Sequence, residues 1–202
     1  MSNVRKALRS AIVDPKRAWR TAVAIVRGSL CVAWYRLRGK ARIAFPFLVF
    51  ERVRIAGPGR VAIGPRCVVH PNAFRGLSIV TLDRAARVTI GSDCNLGGLA
   101  IRCRESVIVG DRMMSARSLI QDTDFCAPTE HDRGASQIVI AGNAWLGGES
   151  LVLGGSHVGA DAVLGWNACC DGHTVPEFHL VTGNPVVRPV PIPKLLDLTG
   201  TS

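Results

Sequence analysis

Residues 122–132 gather one thiol, one imidazole and four carboxylates: Cys126, His131, Asp122, Asp124, Glu130 and Asp132. Such a set can move a proton or present a nucleophile. A histidine, with an unperturbed pKa of about 6.5, is largely neutral near pH 7 yet still able to accept a proton. A cysteine, at about 8.5, is mostly protonated unless a cation lowers it, and neighbouring carboxylates push it the other way. The plainer reading is an exposed loop histidine and a cysteine filling a small gap. His70, His157, His173 and His179 lack the close fixed spacing of a metal site, so no metal is expected. The seven cysteines (31, 67, 94, 103, 126, 169 and 170) also lack ligand spacing and read as reduced, mostly structural thiols of a cytoplasmic protein.

The elements that position this cluster announce themselves downstream. At every sixth residue an aliphatic or thiol side chain recurs, as Ile140, Leu146, Val152, Val158, Leu164 and Cys170, with small residues at Ala144, Ser150, Ser156, Ala162 and Ala168. A helix would need apolar residues at i, i+3, i+4 and i+7, and a single strand of this length is far beyond the usual size. The chain must turn at every repeat, which is the hexapeptide signature of a β-helix.

Upstream, the phrases ending in Gly64, Gly91, Gly110 and Ala141 open successive coils, and their third residues, Ile63, Ile90, Val109 and Ile140, are spaced by 27, 19 and 31. With three hexapeptides to a coil, the largest excess falls between Leu119 and Ile138. That excess predicts a loop ejected from a rigid scaffold, where chemistry tends to be placed. Arg75, Arg102 and Ser115 stand where an aliphatic is expected and predict corner loops or register shifts.

Charge divides the chain sharply. The net +10 of the 202 residues sits entirely in residues 1–42, with eleven Lys/Arg against Asp14, whereas the remainder balances fourteen of each sign. Residues 15–38 predict an amphipathic helix: Trp19, Val23, Val26, Leu30, Trp34 and Leu37 form one stripe, flanked by Arg20, Arg27, Arg36 and Arg38, with Arg17 nearly opposite. Two readings stand side by side, a cap over the open end of the β-helix and a helix lying at the inner face of a membrane. The internal arginines argue against a membrane span and against a cleaved signal peptide. Nucleic-acid binding is excluded as a primary role, because the aromatics belong to the apolar stripe and no recognised module accompanies the charge.

The phrases Ile140-Ala-Gly-Asn-Ala-Trp-Leu-Gly147, Val158-Gly-Ala-Asp-Ala-Val-Leu-Gly165 and Val181-Thr-Gly-Asn-Pro185 resemble the hexapeptide-repeat acyltransferases. They are most similar to the branch that O-acetylates sugars and exopolysaccharide intermediates, including the colanic-acid, galactoside and maltose acetyltransferases. The likeness spans about residues 49–190. It implies an all-β fold, a left-handed parallel β-helix, against the usual crossover handedness. It also implies a homotrimer with active sites between subunits, acetyl-CoA as acyl donor and a sugar or polysaccharide acceptor. The chain then divides into a basic arm over 1–48, the β-helix over 49–175 with its loop over 120–137, and a C-terminal extension over 176–202.

In that family a histidine stands seventeen residues after the aliphatic of a coil-opening phrase, often within Asp-Ser-Asp-Phe-His. The same count from Val109 ends on Cys126, in Asp122-Thr-Asp-Phe-Cys126. Three readings follow. His131 takes the vacant role as general base, oriented by Asp122, Asp124, Glu130 or Asp132. Alternatively, Cys126 carries the acyl group as a nucleophile, or the machinery has decayed and the protein is a glycan- or nucleotide-binding scaffold. For the donor, the resemblance implicates Gly148 after the Trp145-Leu146-Gly147 turn, Trp166 where the family usually has alanine, and Arg188 for nucleotide phosphates.

Overall fold

Short apolar/polar alternations separated by corner residues fold the chain into stacked coils. A computed structural model describes residues 14–70, 76–123 and 135–192. Among these, parallel strands build three faces, about 4.8 Å separating successive coils. The first face stacks Ala41–Ile43, Arg60–Ile63, Arg87–Ile90, Ser106–Val109, Ile138–Ile140, His157–Val158 and Thr174–Val175. The second begins with Phe47–Val49 and Cys67–Val69 and is carried through the bridging residue Asn95 to Met114–Ser115, Trp145–Leu146, Val163–Leu164 and His179–Val181. The third runs from Val53–Ala56 through Leu77–Thr81, Leu99–Cys103 and Ser118–Gln121 to Leu151–Leu153 and Cys169–Cys170. This is the parallel β-helix the repeat predicts.

Register follows the six-residue count: Ile140 pairs with Val158, Leu146 with Leu164 and Val152 with Cys170. All six of these side chains are buried, as are Ala144, Ser150, Ser156, Ala162 and Ala168. The buried hydroxyls are satisfied, Ser150 Oγ bonding Ser118 Oγ at 3.0 Å and Ser156 Oγ donating to Cys170 C=O at 3.0 Å. Tight corners place Arg112, Asn143 and Asp161 at φ of 57–59°, and Arg117, Glu149 and Asn167 at 56–59°. Asparagine and aspartate tolerate that left-handed geometry better than most side chains. Ser115 is neither a corner nor a register shift, pointing inward in register with Leu146 with its Oγ 3.5 Å from Gly97 C=O; Arg102 marks a one-residue register shift, since Ile101 takes the inward place stacked on Ile120 and Arg102 points outward. Arg75 lies outside the described residues.

The coils start earlier than the sequence likeness, at Ala41–Ile43, because the apolar alternation of residues 41–49 pairs directly with Val61–Ile63 and Cys67–Val69. Before them, helix Pro15–Leu37 is capped by Asp14, whose carboxylate accepts from Arg17 N–H at 3.0 Å. It lies over the open end of the first coil. Its small residues Ala24 and Gly28 are buried there, and a Cβ on Gly28 would stand 1.7 Å from Phe47 C=O. Tyr35 Oη accepts from Ile55 N–H at 3.0 Å and donates to Val53 C=O at 3.3 Å, and Lys40 Nζ donates to Gly57 C=O. At the other end, Val190–Pro191 turns back antiparallel on His179–Val181.

Candidate functional site

Asp122 ends the strand Ser118–Gln121 at the corner between the third and first faces. Its carboxylate is fully buried and grips the corner of the coil below. Oδ1 accepts from Arg104 N–H at 2.7 Å, and Oδ2 accepts from Glu105 N–H at 2.7 Å and Ser106 N–H at 3.0 Å. The Cys103 thiol donates to the same oxygen at 3.3 Å, and burial together with this carboxylate pushes that thiol up to about 12. Three backbone donors converging on one carboxylate form an anion nest in which the anion is supplied by the protein itself.

Asp122 also closes the neck of the ejected loop, its C=O accepting from Ser136 N–H at 3.0 Å. The excursion is therefore shorter than the 120–137 span expected, since residues 120 and 121 belong to a strand. Asp124, Cys126, Glu130, His131 and Asp132 lie outside the described residues. Beside the neck, Gln121 is buried; its Nε2 donates to Thr123 C=O at 3.0 Å, and its Oε1 has no hydrogen-bond partner. The six-residue count from Val109 falls on this glutamine, but the register shifts by one and Ile120 takes the inward place stacked on Val152.

Of the residues that the resemblance assigns to the donor, Gly148 and Trp166 meet at a different corner, between the second and third faces. Trp166 lies over Gly148: a Cβ on that glycine would come within 2.3 Å of the indole. The ring is nevertheless 66% exposed, so it presents a face to solvent. Trp145 points outward from the second face, two residues before Gly147. Arg188 is exposed and follows Val187, whose N–H bonds Thr182 C=O at 2.9 Å one coil beyond Trp166. The same corner carries an ion pair the sequence does not announce, Arg117 to Glu149 at 2.6 Å; the irregular spacing between their coils hides the stacking.

Within one chain these two groups are not brought together. Gly148 and Gly154, which lies beside the loop neck, stand on either side of the third-face strand Leu151–Leu153. The remaining four histidines are corner or surface groups: His173 Nδ1 is 2.6 Å from Asp171 C=O, His179 Nδ1 is 2.7 Å from Glu177 C=O, His70 stacks on Phe50, and His157 points outward from its strand. The inward Cys67 and Cys94 thiols donate to Gly91 and Gly110 C=O.

No family model matches the sequence, and no curated protein sequence matches it. Solved structures do match. A mutant of AntD, an N-acyltransferase from Bacillus cereus in complex with dTDP and coenzyme A, superposes at a TM-score of 0.61 with 14% identity, covering 83% of this chain and 91% of that one. A second AntD mutant with the same two ligands gives 0.56 at 14% identity, covering 81% and 91%. At that identity the likeness is one of architecture, and the chain shares the parallel β-helical fold of these acyltransferases.

Proposed function

We propose that the protein is an acyl-CoA-dependent O-acyltransferase, with acetyl-CoA as donor and a hydroxyl of a sugar or polysaccharide precursor as acceptor. The observation that carries this reading is the fold shared with AntD over nine-tenths of that chain, in a protein bound to coenzyme A and a nucleotide. The site geometry supports it. A loop rich in titratable groups is anchored at one corner by Asp122, and an exposed indole over Gly148 stands at another.

In this mechanism the acceptor hydroxyl attacks the thioester carbonyl while His131 takes its proton. The tetrahedral oxyanion is held by backbone N–H groups at a coil corner; it collapses to the ester, and the coenzyme A thiolate leaves and recovers the proton. With Asp122 committed to the neighbouring corner, Asp124, Glu130 and Asp132 are the carboxylates left to orient the imidazole. Trp166 stacks on the adenine and Arg188 pairs with the phosphates. Because loop and indole lie at opposite edges of one face, the reading includes a homotrimer in which one subunit's loop meets its neighbour's donor corner. The protein would work in the cytoplasm, with residues 15–38 at the inner face of a membrane.

Release of free thiol from acetyl-CoA, measured over a panel of sugar acceptors for wild type, Cys126→Ala and His131→Ala, tests the proposal. Loss confined to the histidine variant is the expected outcome. An acetylated Cys126 trapped by mass spectrometry would replace the ternary-complex route with a ping-pong one. A wild type that neither binds nor consumes acyl-CoA would leave a scaffold.

A further inference from the structure

The N-terminal helix has two apolar faces, and the β-helix uses only one. The inward face is made of small or half-buried residues, Ala24, Gly28, Cys31, Val32 and Tyr35, fitted to the backbone edge of the first coil. Burial pushes the Cys31 thiol up to about 11. The opposite face carries the large side chains. Trp19 is 72% exposed, Leu30 66%, Val26 59%, Trp34 53% and Leu37 87%. Capping the coil therefore does not account for the stripe, since all of these side chains stay more than half exposed, although Trp19, Leu30 and Trp34 border the grooves between helix and first coil.

We infer that this outward stripe docks on an anionic membrane surface, with the helix lying in the headgroup layer and the end of the β-helix facing the bilayer. Charge selects this partner. Arg20, Arg27 and Arg38 follow one border of the stripe at helical spacing, Arg36 stands on the other, and the whole net +10 belongs to residues 1–42. The Arg38 guanidinium lies 3.9 Å over the Trp34 ring, joining a cation and an amphipathic aromatic at the level where headgroups meet acyl chains. Beside the helix, a groove whose charged lining is Lys16, Arg17 and Arg20 against the single carboxylate of Asp14 offers further net positive charge to phosphates. No helix among the described residues is long and apolar enough to cross a membrane, so contact through this helix is peripheral.

The experiment is co-sedimentation of the full chain with phosphatidylcholine vesicles, with and without phosphatidylglycerol. Wild type should pellet with the anionic vesicles and be released by salt. Trp19→Ser/Trp34→Ser should lose at least about tenfold in partitioning with its circular dichroism and melting unchanged, since interfacial aromatics anchor such helices. Replacing Arg20, Arg27 and Arg38 by Ala should cost more than tenfold on anionic vesicles only, at roughly a factor of five per charge near the surface. A wild type that stays in the supernatant, or a tryptophan variant that pellets as wild type does, overturns the inference. So does a vesicle-free oligomer that the tryptophan variant dissociates, since a second copy would then be the occupant. Binding is read without turnover, so the outcome is independent of acyl transfer.

Discussion

At the scale of single residues, Asp122 separates what holds the site from what works in it. Its three backbone bonds are charge-assisted and buried, so Asp122→Asn turns an acceptor into a donor facing N–H groups. About 2–3 kcal/mol of stability should be lost in urea unfolding. The sequence offered this aspartate as one of four carboxylates that could orient His131; its grip on residues 104–106 depends on stacking between coils, which no local motif records. Gly148 gives the opposite kind of test. A methyl there meets an indole rather than backbone, so Gly148→Ala should displace Trp166 and shift its fluorescence while changing stability by less than about 1 kcal/mol, and under the proposed function it should also weaken coenzyme A binding. Thiols sort in the same way. With Cys31 and Cys103 pushed up to about 11 and 12, neither should react with iodoacetamide at pH 8 in the native protein. A thiol that labels rapidly and maps to Cys126 would favour the nucleophile reading.

At the scale of elements, the regular coils were legible because inward residues recur every six positions and the register of Ile140, Leu146 and Val152 follows from that count alone. The earlier coils were less so. Ser115 breaks the pattern in composition but not in geometry, since a strand face tolerates an inward serine that finds a carbonyl, whereas at Arg102 the register slips by one and Ile101 fills the core. The helix stripe was also legible, yet which face meets the protein was not: the hydrophobic period marks the large residues, whereas close approach to the Phe47 carbonyl demands the small ones. Gly28→Ala tests this directly. The roughly 1 kcal/mol gained in helix propensity is set against a Cβ placed 1.7 Å from a backbone oxygen. The overlap should win, lowering stability by about 1–3 kcal/mol and speeding hydrogen exchange in the first coil.

At the scale of the whole molecule, exposed corner charges add a small, solvent-screened acid dependence. Arg66, bonded to Asp93 at 2.7 Å, holds that carboxyl below the ordinary aspartate range, and the Ser92 N–H does the same for Asp111. Carboxyls lowered by folding stabilise fully above their unfolded pKa and lose that contribution as pH falls through the lowered value. The melting temperature should thus be flat near neutrality and decline below the usual aspartate value of 3.8, less steeply in Asp93→Asn. In a trimer with parallel axes the three helices would share one end, so membrane binding should be steeper than a single helix allows; light scattering after chromatography gives the subunit number. The helix lid has one more consequence. Beneath it the edge of the first coil, bonded in part by Tyr35 and Arg27 of the helix, is made of the same strand carbonyls and amides by which every coil joins the next. A β-helix stripped of residues 14–38 would offer another molecule a template to continue the stack, so the helix also keeps the protein from growing end to end into filaments.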